Sequence, residues 1–571
     1  MKKFYFIIFF LTLIIFIIRS FTLYNIEPIG DHSFYIWWIN SIINSDHFLP
    51  HQQINFNLID SIKIDKSSLL HNLILPIYIS VTTLFTTISL LYFSCGNIFF
   101  DNVVIGNIIL SILANSLSIA TIPIYLIYFR KNFFNLNEVI IFAIFFIFLI
   151  STSSFFYAFS TQGPHNLGIL FLYLYLIFFS KYFFNLENKE KKKKYLFISL
   201  VFQFLAFYSM YTNIFLIPVF FFVSLIFFSN IRIKERLFEI FKISLLTLLI
   251  LLPGLIALIV IETFGVREDS YQGFFGWGKW AFNFNQHNSI DTNHNLASTI
   301  VNYLIKNIQY WFYYNATILG KTNFLIGIFG IILFRLKYKN PILLSLLLSH
   351  LIVSIIMVGF NNAASRTYAY LLPLFYFGVT LFYFELFKYI QIFKIRSIKI
   401  SLFIVLIILI FTYQIKSNFY KFLDPSLIKA NWSVIYKKEN NEVWKKLSKT
   451  ILNTVGEKSL IVAPTSTYKY FLETQINDVN YIFFSSLDTL ETSPDNIKLQ
   501  MYKSKIEKEI DYGYKIYLIS FEKDLKNEEN SLIKLFCEIN SKICTNKFKL
   551  IKTIKSKNTF WSNLSLFELS S

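Results

Sequence analysis

Long apolar runs separated by short basic clusters set the pattern of this chain. The first run, residues 4–23, would be about 30 Å long as a helix, enough to cross a hydrocarbon core. It is too long for the apolar centre of a secretion signal, and Tyr24-Asn25-Ile26-Glu27-Pro28 is a poor cleavage site, so it reads as a retained span. Further runs cover residues 69–94, 103–129, 138–158, 166–184, 195–211, 214–229, 238–263, 317–335, 341–360, 368–388 and 400–416. From about residue 420 the pattern changes, and Asp, Glu, Lys and Ser occur throughout. There "EVWKKLSKTILNTV", "STYKYFLETQ" and "NSLIKLFCEI" predict helices, while "SLIVAP", "VNYIFF", "YKIYLISF" and "LSLFELS" predict strands. Strands alternating with helices predict a small α/β domain with a largely parallel sheet. "NTVGEKS" carries a single glycine and is no phosphate-cradling loop, so a structural or substrate-positioning part suits this tail better than catalysis.

Composition places the chain in a membrane. Of 571 residues, 55% are hydrophobic and 19% aromatic, and the mean hydropathy is +0.52; a soluble protein of this size would not carry so many unbroken apolar runs. The formal charge of +19 does not make a nucleic-acid surface, because the basic residues sit in clusters between the runs. Cys537 and Cys544 are close in sequence and read equally as a disulfide or as two thiols.

The basic clusters fix a topology. They are Lys2-Lys3, Arg130-Lys131, Lys189 with Lys191 to Lys194, Arg232-Lys234-Arg236, Arg335-Lys337-Lys339 and Lys388-Lys394-Arg396-Lys399. With all of them in the cytoplasm, each interval must hold an even number of spans. The first interval holds three apolar runs, so the run 69–94, softened by Thr82, Thr83, Thr86, Thr87 and Ser89, is expected to lie on or dip into the outer interface. The expected fold class is an α-helical polytopic membrane protein of about 11 transmembrane helices plus outer interfacial helices, with a C-terminal extracytoplasmic α/β domain. Residues 1–416 form the membrane domain, with an outer loop at 24–102, and residues 417–571 the outer domain. The N-terminus is cytoplasmic and the location a cell (inner) membrane. Within the outer loop, Phe34, Trp37, Trp38 and Ile42 share one side at helical spacing and predict a helix lying flat at headgroup level. Asp31 and Ser33 stand where helix caps would, and Asp31 and His32 place an acid and a histidine at the membrane surface.

The layout resembles the GT-C class of integral-membrane glycosyltransferases, above all the protein mannosyltransferase and lipid A aminoarabinose transferase group. In "GDHSFYIWWINSIINSDHFLPHQQ", Asp31 matches the first acid of that group's acidic pair, and His32 stands where a Glu is usual. "SLLHNLILPIYIS" is similar to its Lys-Pro-Pro-aromatic segment, with His71 as the nearest polar substitute for the missing Lys. "LAFYSMYTNIFLIPVFF" resembles a helix–break–helix hairpin, again without the usual Lys, and "QGPHN" replaces a frequent acid. "SRTYAYLLPLFY" is close to an Arg-Tyr-x-x-x-x-Pro segment at an outer surface, in which Arg366 and Tyr368 fall.

The resemblance implies transfer of a sugar from a polyprenyl-phosphate donor to an acceptor hydroxyl. A hydroxyl is a weak nucleophile and needs a carboxylate to take its proton, and the departing phosphate needs cations. Asp31 is the expected base, with His32 tuning it or touching substrate; Arg366, Tyr368, His51, His71 and His165 are the expected substrate contacts. No cofactor is fixed, although the histidines of the outer segments, His47, His51, His71, His165, His287 and His294, leave room for a divalent metal that screens the phosphate. The acceptor is a glycan, a lipid or a protein, the surroundings are membrane lipid, and nucleic acid is no partner.

Four rivals share parts of this plan, one of them a catalytically silent glycan-binding membrane protein. An oligosaccharyltransferase would need a Trp-Trp-Asp-type motif in the tail, whereas "WWIN" lies near the N-terminus and lacks the acid. A ligase for whole glycans is a close variant. A transporter or flippase for a lipid-linked glycan would put ionisable groups at mid-membrane; here Glu262 and Glu385 fall near span ends and His350 is the exception.

Overall fold

The computed structural model describes residues 2–23, 87–100, 103–129, 135–186 without 162, 188–229, 231–264, 296–357, 364–392 and 396–410, and, nearer the C-terminus, 446–456 without 448 and 452, 459–463, 480–483, 510–521, 548–555 and 564–569. These residues belong to two compact units, one helical and one built on a sheet.

The helical unit runs α1 (Lys2–Leu23), α2 (Thr87–Phe100), α3 (Val103–Phe129), α4 (Leu136–Ser151), α5 (Ser154–Phe159), α6 (Pro164–Phe183), α7 (Lys189–Ser209), α8 (Thr212–Phe228), α9 (Ile233–Phe264), α10 (Leu296–Leu319), α11 (Lys321–Tyr338), α12 (Ile342–Ile356), α13 (Ala364–Ala369), α14 (Leu372–Ile392) and α15 (Arg396–Ile410). Among the described residues five helices are long and apolar enough to cross a membrane, six if the bent pair α10–α11 counts as one span, and α4, α8 and α12 are shorter apolar helices. The fold is thus a mostly helical membrane fold with a small sheet.

Local chemistry sets the ends of the helices. Asn135 and Glu138 close a capping box at the start of α4, each bonding the other's backbone N–H at 2.9 Å. The apolar run 138–158 is interrupted, because Ser153 caps a new helix through Phe156 N–H and so separates α4 from α5. Pro164 opens α6 after Gly163, whose φ of +43° favours a residue without Cβ. The helix α2, which begins at residue 87 within the expected outer segment 69–94, stands beside α3: Tyr92 donates to Leu110 C=O at 3.0 Å, and Gly96 meets Gly106 backbone to backbone. That register is antiparallel. Tight crossings also join α11 to α14, where a Cβ on Gly330 would come within 1.9 Å of Gly378 O.

Part of the long connection after residue 263, read from the sequence as loop, is the helix α10. Its buried residues are Tyr303, Asn307, Trp311, Asn315 and Leu319, spaced four apart on one face. Its exposed face carries Val301, Ile305, Ile308, Phe312 and Tyr313. The exposed face also carries Asn302, Lys306 and Gln309, so polar and apolar residues are mixed on it. At Gly320 the chain bends by 108° into α11.

The second unit holds a five-stranded sheet of β1 (Ser459–Ala463), β2 (Asn480–Phe483), β3 (Lys515–Phe521), β4 (Phe548–Ile554) and β5 (Leu564–Leu569), in the order β2-β1-β3-β5-β4. β1 pairs parallel with β2 and β3, while β5 pairs antiparallel with β3 and β4. The sheet is mixed, with Leu460, Ile461, Val462, Leu518 and Ile519 buried in its centre. β4 was not expected as a strand. It is an edge strand, with Lys549 and Lys552 and a register shift between Leu550 and Lys552, features that mark strand edges and weaken the apolar alternation.

Candidate functional site

The two ends of the helical unit differ in chemistry. At the end where the basic clusters lie, every described carboxylate that is buried or half-buried meets lysine. Glu239 on α9 accepts from Lys192 at 2.5 Å, from Lys242 at 3.0 Å and from the Tyr182 hydroxyl. Glu385 on α14 accepts from Lys337 and Tyr338, and Glu138 pairs with Lys388 at 2.7 Å. Asn340 donates to Tyr125 at 2.7 Å at the same end. These contacts lock α6, α7 and α9 together, and separately α4, α11 and α14.

The opposite end holds one arginine, Arg19, among neutral hydrogen-bonding groups. Asn166, in the first turn of α6, is the hub: its Nδ2 donates to Ser111 Oγ at 3.0 Å, Phe159 C=O at 2.9 Å and Ser160 C=O at 3.0 Å. Its Oδ1 accepts from Asn115 Nδ2 at 2.8 Å, and Asn115 Oδ1 in turn accepts from Arg19 Nη1. Ser111 Oγ donates to Ser160 C=O at 2.8 Å. The bonds thus run from α1 through α3 to the α5–α6 turn. Arg19 is 2% exposed and lies against the Phe156 ring, with its Cζ 5.6 Å from the centroid.

A second set of bonds positions α13. His350 on α12 accepts from Trp311 Nε1–H at its Nδ1, at 3.1 Å, so its Nε2 carries the proton and donates to Thr367 C=O at 3.0 Å. Tyr173 on α6 bridges the break between α13 and α14, donating to Tyr370 C=O at 2.9 Å and accepting from Leu374 N–H at 3.2 Å. Asn307 donates to Ile355 C=O at 3.0 Å and so satisfies the last turn of α12.

Of the sequence-predicted site residues, Asp31, His32, His51 and His71 lie outside the described residues. Arg366 stands in α13, with its side chain outside the described part. Tyr368 is buried, its ring 5.0 Å from His350 and 5.9 Å from Tyr314. His165 is buried between Phe159 and Tyr370, at ring distances of 6.0 and 6.4 Å. The fold therefore brings His165 and the turn after Arg366 together at the end that also holds Arg19. His165 sits among aromatic rings; among the described residues no group of three His, Cys, Asp or Glu could hold a metal ion. Sequence reasoning missed Arg19 as a site residue. The signal was there, since an ionisable side chain inside an apolar span points to function; close to a helix end it reads as a snorkelling anchor instead.

No family model matches the chain, and no curated protein matches it. Solved structures of similar fold come from Archaeoglobus fulgidus. Its oligosaccharyltransferase AglB, in complex with an inhibitory peptide and a dolichol-phosphate, is 11% identical with a TM-score of 0.44, over 98% of this chain and 74% of that one. The oligosaccharyltransferase in complex with Zn and sulfate is 13% identical with a TM-score of 0.47, over 92% and 69%. A form tethered to an acceptor peptide with the NVT sequon is 11% identical with a TM-score of 0.46, over 98% and 74%.

Proposed function

We propose that this chain is a membrane glycosyltransferase of the GT-C kind, moving a sugar from a polyprenyl-phosphate donor to an acceptor hydroxyl with inversion. The reaction takes place at the end of the helical unit away from the lysine–carboxylate pairs, which by the charge rule is the extracytoplasmic end. One observation supports this reading: buried polar groups, Arg19, Asn115 and Asn166 among them, gather at that end of the helical unit. Asp31 follows the end of α1 by eight residues, and Arg366 lies in α13, which His350 holds through Thr367.

Asp31 takes the acceptor hydroxyl's proton as oxygen attacks the anomeric carbon, and the bond to the phosphate oxygen breaks on the opposite face. Arg366 stabilises the charge that gathers on the departing phosphate. His32 orients or tunes Asp31. His51 and His71 contact the donor or the acceptor from the outer loop. Tyr368, on α13, and His165, both buried, contact substrate from within the helical unit. The C-terminal unit, residues 417–571 in this reading, stands outside the membrane and positions the acceptor.

The test uses purified protein and a mixture of polyprenyl-phosphate sugars, with released sugar as the readout. Asp31→Asn should lower turnover by about 10²–10⁴-fold, the usual contribution of a positioned base, and Arg366→Ala should lower it as well. Full activity in Asp31→Asn removes the base assignment. Donor binding without turnover by the wild type turns the reading toward a flippase.

A further inference from the structure

Arg19 is the buried ionic group that the ion-pair pattern leaves over. Its guanidinium has five N–H donors and no acceptor capacity. One nitrogen, Nη1, donates to Asn115 Oδ1, while Nε and Nη2 have no hydrogen-bond partner. Among the described residues no carboxylate pairs with it: Glu138, Glu239 and Glu385 are all committed to lysines at the opposite end. A buried charge without a counter-charge is among the most costly arrangements a fold can hold.

The two unused nitrogens are not an arbitrary pair. Nε–H and Nη2–H lie on one edge of the guanidinium and point in parallel, which is the edge that grips two oxygens of one anion. The rest of the network keeps that edge turned. Asn115 cannot flip its amide without losing Asn166 Oδ1, and Asn166 is pinned by three acceptors. Arg19 lies four residues before the end of α1, about 6 Å along the axis, so the fork sits near headgroup depth.

The geometry points to Arg19 as a phosphate-binding side chain, whose Nε/Nη2 edge grips the phosphate of a membrane-embedded lipid. The donor's polyprenyl phosphate is the ligand that the proposed function supplies, and this assignment rests on that reading. A carboxylate of residues 24–86 is the competing partner. Asp31 fits that part poorly, because a base that must accept a proton loses basicity when an arginine holds both its oxygens.

Wild type, Arg19→Met and Arg19→Lys are placed in phosphatidylcholine nanodiscs and titrated with a short-chain polyprenyl phosphate and with the matching polyprenol. Arg19→Met is expected to bind the phosphate at least tenfold more weakly, with Arg19→Lys in between, since lysine keeps the charge but not the fork. Polyprenol binding stays the same in all three. Without ligand, Arg19→Met melts at or above the wild-type temperature, because an uncompensated buried charge has gone. Repeating the titration in phosphatidylglycerol nanodiscs separates the sources. Competition in wild type alone assigns the fork to lipid phosphates in general, and no competition assigns it to the polyprenyl carrier.

Equal phosphate binding in wild type and Arg19→Met overturns the proposal. So does a much lower melting temperature in Arg19→Met with phosphate and polyprenol binding lost together, the mark of a fork already filled by the chain itself. Phosphate binding through Arg19 without any sugar release sinks the transferase reading and leaves this site standing. Loss of turnover in Asp31→Asn, with phosphate binding untouched in Arg19→Met, sinks the site alone.

Discussion

Replacing His350 by phenylalanine tests how α13 is held. The change keeps a ring of similar size and deletes both nitrogens. Trp311 Nε1–H then loses its acceptor at 3.1 Å, and Thr367 C=O loses its donor at 3.0 Å. Two orphaned groups in a soluble core would cost about 1–3 kcal/mol each. Inside a membrane bundle the unfolded reference also finds partners, and interhelical hydrogen bonds average about 0.6 and reach about 1.7 kcal/mol. The membrane figures apply here, because the three residues lie on α10, α12 and the α13 turn, so His350→Phe should cost about 1–3 kcal/mol in all. The measurement is unfolding in a denaturing-detergent titration followed by circular dichroism, for His350→Phe, Trp311→Phe and the pair. Trp311→Phe removes the donor that His350→Phe would orphan, so the double variant should lose less than the sum. A cysteine placed by Arg366→Cys should react faster with a soluble maleimide once the tether is cut. Wild-type stability in His350→Phe, or strict additivity with Trp311→Phe, would refute the tether.

Two further outcomes follow from packing and charge. A Cβ on Gly168 would lie 2.7 Å from Tyr370 Oη and 2.8 Å from Met210 Cβ, so Gly168→Ala should displace the turn after Arg366 and destabilise by about 1–3 kcal/mol; unchanged unfolding and unchanged Arg366→Cys labelling would contradict this. Glu385→Leu strips the partner from Lys337, but that lysine is 43% exposed and reaches solvent, so the cost should be about 1–2 kcal/mol rather than the 3–5 kcal/mol of a sealed pair. A larger loss in the same titration would mean that the lysine is trapped.

The sequence alone determined where most of the helices and four of the five strands fall. Apolar runs longer than a hydrocarbon core become helices because no other conformation satisfies the backbone there. The runs 4–23 and 103–129 match α1 and α3 closely, and the strands β1, β2, β3 and β5 follow from short β-branched and aromatic stretches. The basic clusters also marked one end of the bundle. Two local misreadings have local causes: the serines at residues 151–154 stop α4 without a glycine or proline, and Asn302, Lys306, Asn307 and Gln309 break the apolar run of α10.

Only the tertiary structure decided which polar residues meet. Arg19 and Asn115 are 96 positions apart, and Asn115 and Asn166 are 51 apart. Each alone reads as an ordinary polar residue in an apolar run. What joins them is the packing of α1 on α3 and the parallel packing of α3 on α6, where Ser111 meets Asn166 at one end and Tyr128 meets Lys181 at the other, and helix order along a chain does not fix which faces touch. Hydrophobic periodicity is a property of neighbours in sequence, whereas a buried charge and its missing counter-ion are properties of neighbours in space.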